Sequence, residues 1–427
     1  MGYINALLIF ALFIISYKTD HFIYSPIAFF CLEWGIIILL ASLRLFGLFE
    51  ASFQTWLIIS LGTFSYISGV LICKHFMHVE HGFSNDSALF TTRSFCTILL
   101  IVIAFKIPQL FNSINALCHG ASLDDIRHAS YGLTKLQYYV DFDSSPIFQY
   151  LEVIISILEL FIEAAGIEMF FYNNKSNYRY LLSVLLIVLI DSFINGGRFQ
   201  VFYFLIEILA CYEYYRKRML STSSKRKVYS KYVFILIAFL CIVIFGLTIF
   251  RGTQINELFA KLYRYICGNI IFFDIHIQRI NSNDFYSMSM AGLYGFWAIL
   301  FPILHKFGLP YPKIYTETII KVMNTQNFIK IGKRLMTNAF CTPYYYLYSD
   351  FRYFGVVLGM ICFGIIVEFV YKNVEFSNGR KQLTLYLIVI QIIFMTLDAY
   401  PFSSKVYSIT IIIILIIEYR IYKRSYN

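Results

Sequence analysis

Long apolar runs separated by short polar stretches dominate the chain. Eleven of them approach or reach the roughly 20 residues a helix needs to cross the hydrocarbon core of a bilayer. They cover about 2–17, 25–43, 54–73, 95–117, 148–172, 179–195, 198–215, 232–250, 353–371, 382–399 and 406–421. The pattern predicts an all-α polytopic membrane protein, a single transmembrane domain over 1–427 with about eleven transmembrane helices. Strands have no place in it.

Basic residues in the short connections orient these runs, because short loops rich in Lys and Arg stay in the cytoplasm. Arg216, Lys217, Arg218, Lys225, Arg226, Lys227 and Lys231 crowd one such loop. Alternation then brings Lys175 and Arg179, the group Lys372, Arg380 and Lys381, and the tail with Arg420, Lys423 and Arg424 to the same side. Arg44 and Lys18 disagree over the first two runs, so an outside N-terminus rests on alternation alone. Three segments are then expected outside: the first extracytoplasmic loop at 118–147, the turn Asn195-Gly196-Gly197, and the large loop at 251–352.

Composition agrees with the pattern. Hydrophobic residues make up 59% of the 427 and charged residues 14%, which leaves too little polar surface for a water-soluble protein. The net charge of +10 is divided among loops instead of forming one stripe, so no nucleic-acid partner is expected and membrane lipids are. Cys31, Cys73, Cys96, Cys211, Cys241 and Cys362 lie inside apolar runs, with no C-x-x-C spacing and no nearby histidine pattern. They read as small hydrophobes; no metal or cofactor is expected. Cys118, Cys267 and Cys341 fall near or in outside loops, where pairing stays open. The first run lacks a basic n-region and an obvious cleavage site, so no cleavable signal peptide is expected.

The large loop holds eleven basic and five acidic residues, a net +6. Loops longer than about 60 residues escape the positive-inside rule, so a basic loop is allowed outside, and an anionic ligand is the simplest reason for its charge. Its apolar stretch from Met288 to Leu304 is expected to be re-entrant or surface-lying, since Arg251 and Arg352 both need to be outside. Gly308, Pro310 and Pro312 should break that stretch, and a helix is expected from about Pro312 to Lys333.

Arginines at the outer ends of runs are the main chemical candidates. Arg198 follows Asn195-Gly196-Gly197, Arg251 precedes Gly252 where a run returns from the cytoplasm, and Arg127 lies in Asp124-Asp125-Ile126-Arg127-His128. A guanidinium grips two phosphate oxygens at once, while glycines let backbone N–H groups approach an anion. Arg264, within the large loop, joins them as a possible diphosphate contact. The plain alternative is snorkelling to lipid headgroups. Aromatic residues, 19% of the chain, fit an interfacial belt, with sugar stacking open for Tyr344, Tyr345, Tyr346 and Tyr348. Glu33, Glu152, Glu159, Glu163 and Glu168 lie in or near apolar runs; the last four could share a face turned inward, as an ion path or as helix-packing partners.

The segment Thr337-Asn338-Ala339-Phe340 through Tyr348-Ser349-Asp350-Phe351-Arg352-Tyr353-Phe354-Gly355 resembles a pattern of the Wzy-type O-antigen polymerases, the bacterial polymerases of oligosaccharide repeat units. Gly196-Gly197-Arg198, Phe250-Arg251-Gly252 and the approach from Pro26 to Trp34 resemble that family as well. Arg352 departs from it, standing where the family often has glycine. The resemblance implies a metal-independent glycosyltransferase with a fold similar to the lipid-linked sugar ligases. It would move a growing glycan from undecaprenyl diphosphate to the non-reducing end of a new lipid-linked repeat unit, at the periplasmic face of the bacterial inner membrane, with a chain-length regulator protein as a further candidate partner. Arg127, Arg198, Arg251 and Arg264 would hold the diphosphate, with Asn195, Gly197, Asn338, Tyr345, Asp350 and Arg352 as further substrate contacts. The base is open among His276, Asp274, His305, Asp350, His128, Asp124 and Asp125, with His276 or Asp274 preferred. Asp274 and His276 are too close in sequence to share one helical face. An O-antigen ligase, a lipid-linked oligosaccharide flippase and a transporter stand as alternatives.

Overall fold

A computed structural model describes residues 1–77, 87–130, 145–172, 178–218, 223–250, 257–325, 327–338, 341–377 and 379–426. The described chain is almost entirely helical: α1 (Gly2–Asp20), α2 (Pro26–Leu43), α3 (Phe53–Phe76), α4 (Thr92–Cys118), α5 (Leu123–Ser130), α6 (Pro146–Tyr172), α7 (Tyr178–Ile194), α8 (Phe199–Arg218), α9 (Ser223–Phe250), α10 (Leu258–Ser282), α11 (Tyr294–Lys306), α12 (Lys313–Thr318), α13 (Pro343–Ser377), α14 (Arg380–Phe394) and α15 (Lys405–Tyr426). Two short strands, β1 (Ile329–Lys330) and β2 (Met336–Thr337), pair antiparallel. This is an all-α membrane protein. Among the described residues, six helices are long and apolar enough to cross a membrane: α1, α2, α3, α4, α13 and α14 with its extension to Leu397. Each of the other expected runs is also helical, but α7 has only 17 residues and α6 and α8 carry several carboxylates.

Contacts group the chain into two compact units, one of Met1–Phe83, Phe259–Ser377 and Ile392–Asn427, the other of Ser84–Leu258 and Asn378–Gln391. In the first, α3 and α13 lie against each other with backbones almost touching. A Cβ on Gly69 would stand 2.2 Å from the Ile361 carbonyl oxygen, and one on Gly364 would stand 2.3 Å from that of Tyr66. Helices in lipid have little hydrophobic drive to associate, so small residues that permit such approach do much of the work. The Phe30 and Tyr66 rings stack at 4.1 Å, and Trp34 donates to Thr396 Oγ1 at 3.1 Å.

Loops sort cleanly to opposite ends of this unit. At one end Lys74 pairs with Asp20 at 3.1 Å and Phe22 stacks on Tyr371. At the other, the α2–α3 connection meets the hairpin: Phe49 N donates to Ile331 O, and Lys333 N to Gly47 O, both at 2.9 Å. Segments 44–52 and 329–337 therefore share one end of this unit, opposite the Asp20–Lys74 pair.

The hairpin corrects one expectation. The helix foreseen from Pro312 to Lys333 stops at Thr318, continues as one π turn to Met323, and gives way at Asn324 (φ −84°, ψ 80°). Ile329 and Ile331 alternate with Lys330, a period of two that suits a strand. Gly332 then lets the chain approach Gly47, whose carbonyl oxygen a Cβ at 332 would meet at 2.8 Å. The apolar stretch from Met288 becomes a run of turns followed by α11, whose 13 residues make about 20 Å of helix, short of the roughly 30 Å core.

The second unit packs α4, α6, α7 and α8 together, with α9 on α8 and α5 laid against α7. All nine cysteines are unpaired, and Cys267 and Cys341 are buried.

Candidate functional site

The end of the first unit that carries the hairpin is built around the junction between Tyr348 and Tyr353. Here α13 is broken: Phe351 (φ −140°, ψ 32°) and Arg352 (φ 54°, ψ −136°) leave the helical region. Asp350, immediately before the break, is buried and anchors the neighbouring turn. Its Oδ1 accepts from Ser287 Oγ at 2.6 Å and Ala291 N at 3.1 Å, its Oδ2 from Gly292 N at 2.8 Å. Gly292 is required, since a Cβ there would meet Asp350 Oδ2 at 2.5 Å. Asp350 therefore shapes the site from inside.

Arg352 has a backbone conformation that L side chains rarely adopt and that glycine enters freely. Its guanidinium lies 4.3 Å from the Tyr286 ring centroid and 5.3 Å from that of Tyr348, and reaches Asp284 Oδ1 at 3.8 Å. Its Nη1 is buried with no hydrogen-bond partner. Around it, Gln54 Nε2 donates to the Tyr348 hydroxyl at 2.9 Å and to that of Tyr353 at 3.2 Å. Tyr348 donates to Asn281 Oδ1 at 3.0 Å, and Asn281 Nδ2 to Gln54 Oε1 at 3.3 Å. Amides, tyrosine rings and a cation thus share one patch, the chemistry that hydrogen-bonds hydroxyls, stacks on sugar faces and attracts phosphate.

Asp274 and His276 diverge as their spacing requires. Asp274 Oδ1 accepts from Ser52 N and Oγ and from Thr55 Oγ1, with Gln278 Nε2 near Oδ2 at 3.4 Å. It caps α3, where a carboxylate suits the positive end of the helix dipole. His276 packs between Phe272 (4.4 Å) and Tyr345 (5.4 Å), and its Nε2 is buried without a partner. Burial, aided by Arg279, pushes it down to about 4, so the ring is neutral near pH 7. Tyr345 is fully buried and donates to Lys321 O at 3.3 Å. Arg264 ties α10 to the hairpin through Nη1 and the Met336 carbonyl at 2.8 Å, with Asn338 half-buried just beyond β2.

The second unit brings Arg127, Asn195, Gly197 and Arg198 into one neighbourhood. Gly196 turns with φ 54°, and a Cβ on it would meet the Leu123 carbonyl at 2.9 Å and Arg127 Cβ at 3.2 Å, so α5 sits directly on the turn. Ser122 and Asp125 cap α5 reciprocally, which fixes the start of the helix, with Asp125 two residues before Arg127. Arg198 is buried to 6% exposure and donates from Nη1 to Thr248 Oγ1 at 2.5 Å. Asn195 Nδ2 donates to Asp191 Oδ2 at 3.1 Å. Asp191 in turn pairs with Lys106, which also holds Glu159 at 3.0 Å. Arg251 lies outside the described residues.

Sequence reasoning missed Gln54, Asn281 and Tyr286, single polar or aromatic residues with no local pattern, and Lys106, hidden as one cation within the apolar run 95–117. Among the described residues, no three His, Cys, Asp or Glu side chains group to hold a metal ion. Comparison with known protein families, curated proteins and solved structures returns no match to this chain.

Proposed function

We propose that the chain is a polymerase of lipid-linked oligosaccharide repeat units, with about eleven spans and with its site on the extracytoplasmic face of the bacterial inner membrane. It would transfer the growing glycan from undecaprenyl diphosphate to a new lipid-linked repeat unit. The observation that carries this reading is the Arg352 patch: a cation with a free Nη1, floored by Tyr286 and Tyr348 and edged by Gln54 and Asn281. Positive charge in that patch suits a diphosphate leaving group, whose developing charge fixed donors stabilise. The neutral, enclosed His276 makes a weaker base than its position in sequence suggests.

A flippase or transporter is the second reading. It is favoured by the charges enclosed in the second unit, where Lys106 on α4 meets Glu159 on α6 and Asp191 on α7. Deleting the gene in a host that displays the glycan separates the readings on a gel. A ladder collapsed to one repeat supports the polymerase, whereas loss of all glycan points to a ligase or flippase. Arg198→Lys, at equal expression, should shorten the ladder nearly as much as Arg198→Ala, because lysine lacks the bidentate fork. A ladder of parental length in both variants would remove Arg198 from the site.

A further inference from the structure

The second unit contains more buried carboxylate than buried cation. At one end of its helices Lys106 serves both Glu159 and Asp191. At the other, Glu168 is fully matched: Arg380 donates from Nε at 2.7 Å and Nη2 at 2.9 Å, and Tyr215 from its hydroxyl at 2.8 Å. Between these ends stand Glu163 on α6 and Glu207 on α8, 5% and 0% exposed. Glu163 Oε1 and both carboxyl oxygens of Glu207 have no hydrogen-bond partner. The two lie within electrostatic reach of each other where α6 packs on α8, and Glu163 also feels Glu159 and Asp191.

Spacing spreads these groups along the two helices, with Glu163 one turn below Glu159 and Glu168 turned to another side of α6. Glu159, Glu163 and Glu168 descend α6 over nine residues, about 13 Å of helix, and Glu207, Cys211 and Tyr215 descend α8 at intervals of one turn. An ionised carboxylate without a donor or counter-ion is untenable in a dry interior, so each unpartnered acid requires either a proton or a metal cation. A proton neutralises a lone buried acid without further ligands, whereas a metal cation needs several oxygens around it. We propose that Glu163 and Glu207 form a proton-binding site inside the second unit, exchanging protons with the Lys106–Glu159–Asp191 cluster one helical turn away. Uptake leaves the pair neutral; release leaves one negative charge facing Glu159, Asp191 and Lys106 on one side and Glu168, Tyr215 and Arg380 on the other.

This goes beyond the glycosyl-transfer reading and stands or falls without it. Infrared spectroscopy of the full chain in lipid bilayers at pH 7 should show a protonated-carboxyl stretch that shifts in D2O. Glu207→Gln and Glu163→Gln should each remove part of that band, while Glu50→Gln, at the exposed pair with Arg44, should not. Glutamine mimics the protonated acid, so the two buried variants should keep the parental thermal midpoint. Three results would overturn the site: a band unchanged in Glu163→Gln and Glu207→Gln, a marked fall in their midpoints, which signals an ionised and paired carboxylate, or a band that disappears when sodium replaces choline, which signals a metal cation.

Discussion

Arg352→Gly separates what the backbone prefers from what the side chain does. The conformation at 352 (φ 54°, ψ −136°) is one glycine enters freely, and holding another residue there costs on the order of 1–3 kcal/mol. Glycine relieves that strain but gives up the two cation–π contacts, about 0.5–1 kcal/mol each where partly solvated, and adds about 0.5–1 kcal/mol of unfolded-chain entropy. These nearly cancel, so the thermal midpoint in detergent should stay close to the parent. Arg352→Ala loses the same contacts and keeps the strain, and should be the less stable of the two by about 1–2 kcal/mol. Activity should respond differently: losing one charge-assisted bond to a phosphate, about 1.5–3 kcal/mol, slows transfer roughly 10- to 150-fold in both variants. Glycan ladders at equal expression read that loss. If glycine proves less stable than alanine, the strain argument is wrong; if both ladders are parental, Arg352 serves only the fold.

Gly69→Ala puts a methyl group 2.2 Å from the Ile361 carbonyl oxygen, a backbone atom without a flexible tail to move aside, so the midpoint should fall by an amount equivalent to about 1–3 kcal/mol. An unchanged midpoint would mean that α3 and α13 separate easily. His276 has its pKa lowered to about 4 from an ordinary 6.5, so the fold favours the neutral ring; its contribution is complete above about pH 6.5 and fades as pH falls towards 4, by up to about 3 kcal/mol. His276→Gln should flatten that acid limb of the stability curve, and an identical limb would assign it to other groups. Cysteines introduced at Ser223 and at the exposed Lys313 test sidedness: an impermeant thiol reagent on intact cells should label 313 and spare 223, and the reverse inverts the topology.

Run length and apolarity made the helices legible. The run marked at 25–43 is α2 at Pro26–Leu43, and the one marked from 353 begins where α13 resumes after its break at Phe351 and Arg352. The hairpin at 329–337 was not legible, because its two-residue strands pair only with each other and its tip is held by the distant 47–49 segment. The spacing of the α6 carboxylates suggested that they could share part of one face; Glu159 and Glu163 are one turn apart, while Glu168 turns to Arg380. Their partners Lys106, Asp191 and Arg380 could not be read from it, because those contacts join residues that the sequence separates by up to 212 positions. Asp350 read as a substrate contact because sequence shows a charge and not its burial; the donors of residues 287–292 turn it into a brace.

The pairing of 47–49 with 331–333 also sets a timetable for synthesis. The α2–α3 connection leaves the ribosome early and can close only against a hairpin tip made almost 300 residues later, while Asn269 waits for the Leu397 carbonyl. The second unit lies between these halves and is continuous except for the piece of α14 that brings Arg380 to Glu168. Its helices can therefore pack while the first unit is still open, and a nascent chain stalled before residue 329 would present an unfinished first unit to the quality-control machinery of the membrane.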